Sequence, residues 1–186
     1  MELSAANLWT LLRLTVVQPG QAADVLLRLP LLGRWRFVVL AVVASLWAVV
    51  LWLTSAAYPM TMPDATVMEI GPLNWAILTG TSIVITAGLI FVCSRVAGGK
   101  ASFTDLILLV SWFQFLQLPL YIALMVLIIL LPPLGALTWL ASVGLTLWVL
   151  AHFIKAANGF ASVLGPILGI VGAIALMVLL LLNGTA

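Results

Sequence analysis

The chain has 186 residues, 65% of them hydrophobic and only 6% charged, with a mean hydropathy of +1.33. A soluble domain carries about 25% charged residues, so a single water-soluble core is excluded and lipid is expected to be part of the solvent. Seven Lys/Arg against five Asp/Glu leave a formal net charge of +2. That is too small and too dispersed for nucleic acid, whose partners cluster basic side chains to displace counterions.

Residues 1–36 read as a cytoplasmic, interfacial segment of short amphipathic helices. Leu8, Leu11, Leu12 and Val16 recur at helical spacing behind Ser4, a good N-cap. Pro19 ends this helix and opens a second one, on which Asp24 and Arg28 are spaced to pair. Pro30 and Gly33 then turn the chain towards the bilayer, with Arg34 and Arg36 placed to reach lipid headgroups.

The remainder, 37–186, predicts an all-α bundle of five transmembrane helices at 37–57, 73–94, 106–131, 134–154 and 160–182. Each gap holds its own stop signal. Tyr58-Pro59, Met62-Pro63 and Gly71-Pro72 punctuate the first gap, and Gly98-Gly99, Pro132-Pro133 and Asn158-Gly159 the later ones. Barrel strands would alternate polar and apolar residues over about ten positions, whereas these runs are apolar on every side.

Basic residues set the orientation. Arg13, Arg28, Arg34 and Arg36 precede the first span, Arg95 and Lys100 follow the second, and Lys155 ends the fourth. The other gaps hold only Asp64 and Glu69 or no charge at all. All seven cations therefore fall on one side, which predicts an N-in, C-out protein of a cytoplasmic membrane. Arg34, Arg36, Arg95, Lys100 and Lys155 are the expected headgroup anchors, and Trp9, Trp35 and Trp75 the expected belt residues.

Ion or proton transport usually requires ionisable groups inside the bilayer, and the spans hold none beyond Lys155 at one edge. Hydroxyls and amides do line up. Ser111, Gln114, Gln117 and Tyr121 share one face of the third span, and Thr79, Ser82, Thr86 and Cys93 share a face of the second. Two readings are open for this polar seam: interhelical hydrogen bonds, each worth about 0.6 kcal/mol, or a path for a small molecule or lipid. Pro119 frees a backbone carbonyl that a neighbouring side chain can satisfy.

Cys93 reads as a packing thiol, and His152 beside Lys155 as an interfacial anchor. With one histidine and no nearby cysteine or carboxylate, no metal site is expected there. No Ser-His-Asp set, phosphate loop or HExxH motif is present, so neither a catalytic residue nor a cofactor is expected. On the fifth span Ser162, Gly165, Gly169 and Gly172 form a small-residue face that permits close helix packing, within the bundle or with another copy.

Several short stretches resemble the Yip1 domain family. They are Gln18-Pro19 with Gln21-Ala22-Ala23, the run Gly98-Gly99-Lys100-Ala101-Ser102-Phe103-Thr104-Asp105-Leu106 before the third span, Pro119 within that span, and residues 152–159 before the last. Glu69-Ile70-Gly71-Pro72 echoes the acidic Gly-Pro signature of eukaryotic members but follows the first span instead of preceding it, so its role is not carried over. The resemblance implies a five-span membrane adaptor, not an enzyme, with lipids and other membrane proteins or further copies as partners. Eukaryotic members bind Rab-type GTPases. The compact layout is similar to bacterial members instead, and implies an inner-membrane protein without a Rab partner.

Overall fold

A computed structural model describes residues 5–30, 33–58 and 70–172. The described residues form no strand. In chain order the helices are α1 (Ala5–Val17), α2 (Pro19–Leu27), α3 (Gly33–Ala57), α4 (Pro72–Val96), α5 (Phe103–Leu130) and α6 (Pro132–Asn158). A further helical stretch, α7, covers 164–172. Ser4, the acidic gap with Met62-Pro63, Asp64 and Glu69, and the second half of the expected fifth span lie outside the described residues.

Helices α3, α4 and α5, together with the Leu137–Asn158 part of α6, are long and apolar enough to cross a membrane. A 25-residue helix such as α3 is about 37 Å long at about 1.5 Å per residue, against a hydrocarbon core of about 30 Å. The first four expected spans thus each have their helix. α3 begins at Gly33, before the expected start at residue 37, so Arg34 and Arg36 belong to its first turns. Charge ends a hydropathy run but does not end a ladder of backbone hydrogen bonds.

The connections follow the punctuation. Pro72 and Pro132 occupy first-turn positions of α4 and α6, where no intrahelical N–H is needed. Gly159 closes α6 in the left-handed region at φ 69°, and the Phe160 amide donates back to the Lys155 carbonyl at 3.1 Å. α5 begins with a capping box: the Ser102 hydroxyl accepts from the Asp105 amide, and the Asp105 carboxylate accepts from the Ser102 amide.

α5 is the central element and packs on α2, α3, α4 and α6. From Leu106 to Phe113 every one of its residues is buried. One core joins Val43 and Trp47 of α3, Ile83 and Ala87 of α4, and Ile107 and Val110 of α5. A second joins Leu11 of α1, Ala22, Ala23 and Leu26 of α2, Leu109, Trp112, Phe113 and Leu116 of α5, and Val149 and Phe153 of α6.

Across the expected division at residue 36, α1 and α2 are docked against the bundle and share its second core. Ala22 and Ala23, with no accessible surface, let the α2 backbone approach α5 and α6 closely. The buried Thr15 hydroxyl, which donates to the Leu11 carbonyl, accepts the Trp112 indole N–H at 3.0 Å and ties α1 to α5.

Candidate functional site

Two places in the bundle concentrate polar or unfilled structure: the end that carries the basic residues, and a cavity beside α4. At the basic end, Arg36 from the start of α3 donates to the Asp105 carboxylate and to the Thr104 hydroxyl at the start of α5. Arg36, expected as a headgroup anchor, is thus paired within the bundle. Its side chain is only 13% exposed and is committed to an internal ion pair. The other expected anchors are free to reach outwards: Arg34 is exposed beside the Trp35 ring, Arg95 is exposed beside the Phe91 ring, Lys100 is exposed, and Lys155 is half-buried.

The same end is locked by Asn158. Its amide group donates to the Ile154 carbonyl at 2.9 Å and its oxygen accepts from the Ala101 amide at 3.3 Å, binding the end of α6 to the loop before α5. Gly98 adopts φ 79°, and a Cβ on Gly99 would strike the Asn158 side chain and lie 2.8 Å from the Ser94 carbonyl oxygen. Both glycines of the pair are therefore required by geometry.

The structure divides the polar seam between two surroundings. On α5, Ser111 is fully buried and its hydroxyl has no partner among the described residues, while Gln114, Gln117 and Tyr121 are half-buried. Tyr121 stacks on Trp47 of α3 with ring centroids 5.3 Å apart, and the Trp47 indole donates to the Gln114 carbonyl at 2.9 Å. That carbonyl is the neighbour of the Phe115 carbonyl, whose helical partner Pro119 removes. On α4, Ser82 is exposed, Thr79 and Thr86 are half-buried, and Ile83 and Ala87 make the inward face. Thr86 and Cys93 open onto a cavity whose lining includes no residue of α5.

That cavity, of about 550 Å³, lies between α4, the end of α6 and residues 160–170. Its walls are mostly apolar, with Thr86, Cys93, Ser94 and Ser162 as the polar exceptions. Ser162, Gly165 and Gly169 of the expected packing face line it. A Cβ built on Gly165, Gly169 or Gly172 would meet nothing within 4 Å. Among the described residues, then, the small-residue face is not used to bring another helix of this chain close. It borders open space.

His152 stays on α6, its Nδ1 2.8 Å from the Trp148 carbonyl and its ring against the Trp148 ring. No group of three His, Cys, Asp or Glu side chains that could hold a metal occurs among the described residues. Sequence reasoning missed the Arg36–Asp105 pair and the capping box. The box is visible as Ser102-Phe103-Thr104-Asp105; the pair has no local signal. No protein family, curated protein or solved structure matches the chain.

Proposed function

We propose that the protein is a non-enzymatic membrane adaptor, an accessory subunit of a larger membrane complex that acts through helix packing and lipid contacts. The observation that carries this reading is the face of Ser162, Gly165, Gly169 and Gly172, which no other helix among the described residues fills and which opens on an apolar cavity. Small residues permit close approach of a helix from outside the chain. In this reading the chain crosses a bacterial inner membrane five times, with 160–182 as the last span. The end bearing Arg34, Arg95, Lys100 and Lys155 then faces the cytoplasm. The resemblance to the Yip1 domain family supports the same role.

The alternative, a permeation or lipid-moving path along Ser111, Gln114, Gln117 and Tyr121, has less support, since Ser111 is enclosed and Tyr121 packs on Trp47. The test is purification from the native membrane in mild detergent, with size estimation and mass spectrometry, for wild type and Gly165→Leu/Gly169→Leu. A stoichiometric companion that the double variant loses supports the adaptor. A monomer carrying only lipid overturns it. Flux or lipid flip in liposomes that Gln114→Leu/Gln117→Leu abolishes would favour the alternative.

A further inference from the structure

We infer that α1 is seated within the leaflet at the basic end of the bundle, its outer face covered by lipid acyl chains, while the outer face of α2 meets headgroups and water. The inference rests on the four long helices crossing the bilayer, and it is independent of the adaptor reading.

Height along the bundle comes first. α1 and α2 share their core with Leu109–Leu116 of α5, which begin six residues after Phe103, and with Val149 and Phe153 of α6, which precede Asn158 by nine and five residues. The Asn158–Ala101 hydrogen bond holds those two helix ends level. At about 1.5 Å per residue, the docking zone lies about 7–20 Å in from that end. Since α5, at 28 residues, is about 42 Å long against a hydrocarbon core of about 30 Å, this zone reaches into the core and does not stop at the surface.

The make-up of α1 agrees with that height. Its inner side spends Leu8, Leu11, Leu12 and Thr15 on the bundle, yet its outer side still presents Trp9 at 71% exposure, Val16 at 40% and Val17 at 63%, with Thr10 and Arg13 between them. Three of these five exposed positions are large apolar residues, and a helix that shows such a side beyond its packed one is suited to partial contact with lipid. The 7–17 stretch is apolar but too short to span, as in interfacial or half-embedded segments. Arg13, its one charge, has a stem long enough to reach headgroups. α2 is the contrast, with Gln18 just before it and Gln21, Asp24 and Arg28 along its exposed side. Both helices dock at the same height, so the composition of their exposed sides separates them: α1 turns mainly apolar side chains to the acyl chains there, and α2 turns its polar side towards the headgroups. One consequence is that the protein is broader in one leaflet than in the other.

The test uses single cysteines in a Cys93→Ser background: Val17→Cys, Gln21→Cys, with Ile85→Cys on the exposed side of α4 and Lys100→Cys in the loop as references. Each is labelled with bimane in detergent and reconstituted into phosphatidylethanolamine/phosphatidylglycerol vesicles containing acyl-chain-brominated phosphatidylcholine, with iodide as the aqueous quencher. The expected result is loss of fluorescence at residue 17 to brominated lipid, matching residue 85, and at residue 21 to iodide, matching residue 100. Quenching of residue 17 by iodide as strong as at residue 100, while residue 85 stays lipid-quenched, overturns the placement of α1 and leaves the spans intact. Quenching of residue 17 by neither agent also overturns it, because another protein surface then covers α1. If residue 85 itself escapes the brominated lipid, the membrane-spanning reading fails and takes the inference with it.

Discussion

The two flanks of α4 are built from the same kinds of residue and are used in opposite ways. Towards α3 and α5, Ile83 and Ala87 have no accessible surface and sit in a closed core with Val43, Trp47, Ile107 and Val110. Towards 160–170, Thr86, Leu89 and Cys93 border a cavity of about 550 Å³, across from glycines that no other helix among the described residues approaches. In water the second flank would be a defect, since a void forfeits the contacts that fill a core. In a bilayer it is a surface that lipid or a partner helix completes. In such a protein, apolar composition alone does not separate core from interface; the contacts do.

Closed packing is where substitutions are costly, and the second core shows it as well as the closed flank of α4 does. Trp112→Ala removes a buried indole from the core shared by α1, α2, α5 and α6, and leaves the Thr15 hydroxyl without its donor. A loss of about 3–5 kcal/mol is expected, read from the unfolding midpoint in mixed detergent micelles. Trp112→Phe keeps the six-membered ring but deletes the hydrogen bond and the pyrrole part of the indole. A loss below that of the alanine variant is expected, of which the hydrogen bond is about 0.5–1.5 kcal/mol. Equal losses in the two variants would mean that the hydrogen bond, not the packing, holds α1 in place.

The Arg36–Asp105 pair comes next in size. Asp105→Ala removes both the partner of Arg36 and half of the capping box. The cap alone is worth about 1 kcal/mol, and the stranded, mostly buried guanidinium adds to that. Arg36→Ala leaves the box intact and is expected to cost less, and the double variant less than the sum of the two. Full additivity, measured in the same unfolding assay, would show that the pair is not coupled.

These effects separate what the sequence discloses from what it does not. Helix stops are local: Pro132 starts α6, Gly159 ends it, and both can be read from the residue type alone. The first four spans were legible for the same reason, because hydropathy sums over neighbours. The partner of Arg36 lies 69 positions away and that of Trp112 lies 97 away, and nothing near either residue names it. Arg36 therefore reads as a headgroup anchor like Arg34, although the fold turns one inwards and leaves the other exposed. The polar seam is split between surroundings for a related reason. Helical spacing places residues on one face but does not say which neighbour that face meets, and Thr86 and Ser111 meet different ones.

A pair of glycine substitutions ends in the smallest expected effect and sharpens the comparison most, because one substitution type probes a closed contact and the open flank. Gly99→Ala puts a methyl group into the Asn158 side chain and close to the Ser94 carbonyl, and an over-packed contact of that kind costs about 1–3 kcal/mol. Gly165→Ala adds the same methyl group to α7 where a Cβ meets no atom of the described residues within 4 Å. Alanine also favours a helix over glycine by about 0.5–1 kcal/mol. The isolated protein should therefore be destabilised by the first and left unchanged or slightly stabilised by the second. If Gly165→Ala instead destabilises the detergent-purified monomer, the glycine face is packed within the chain and the cavity is closed in solution. If it is harmless to the monomer but weakens a complex, the face belongs to whatever lies across from it.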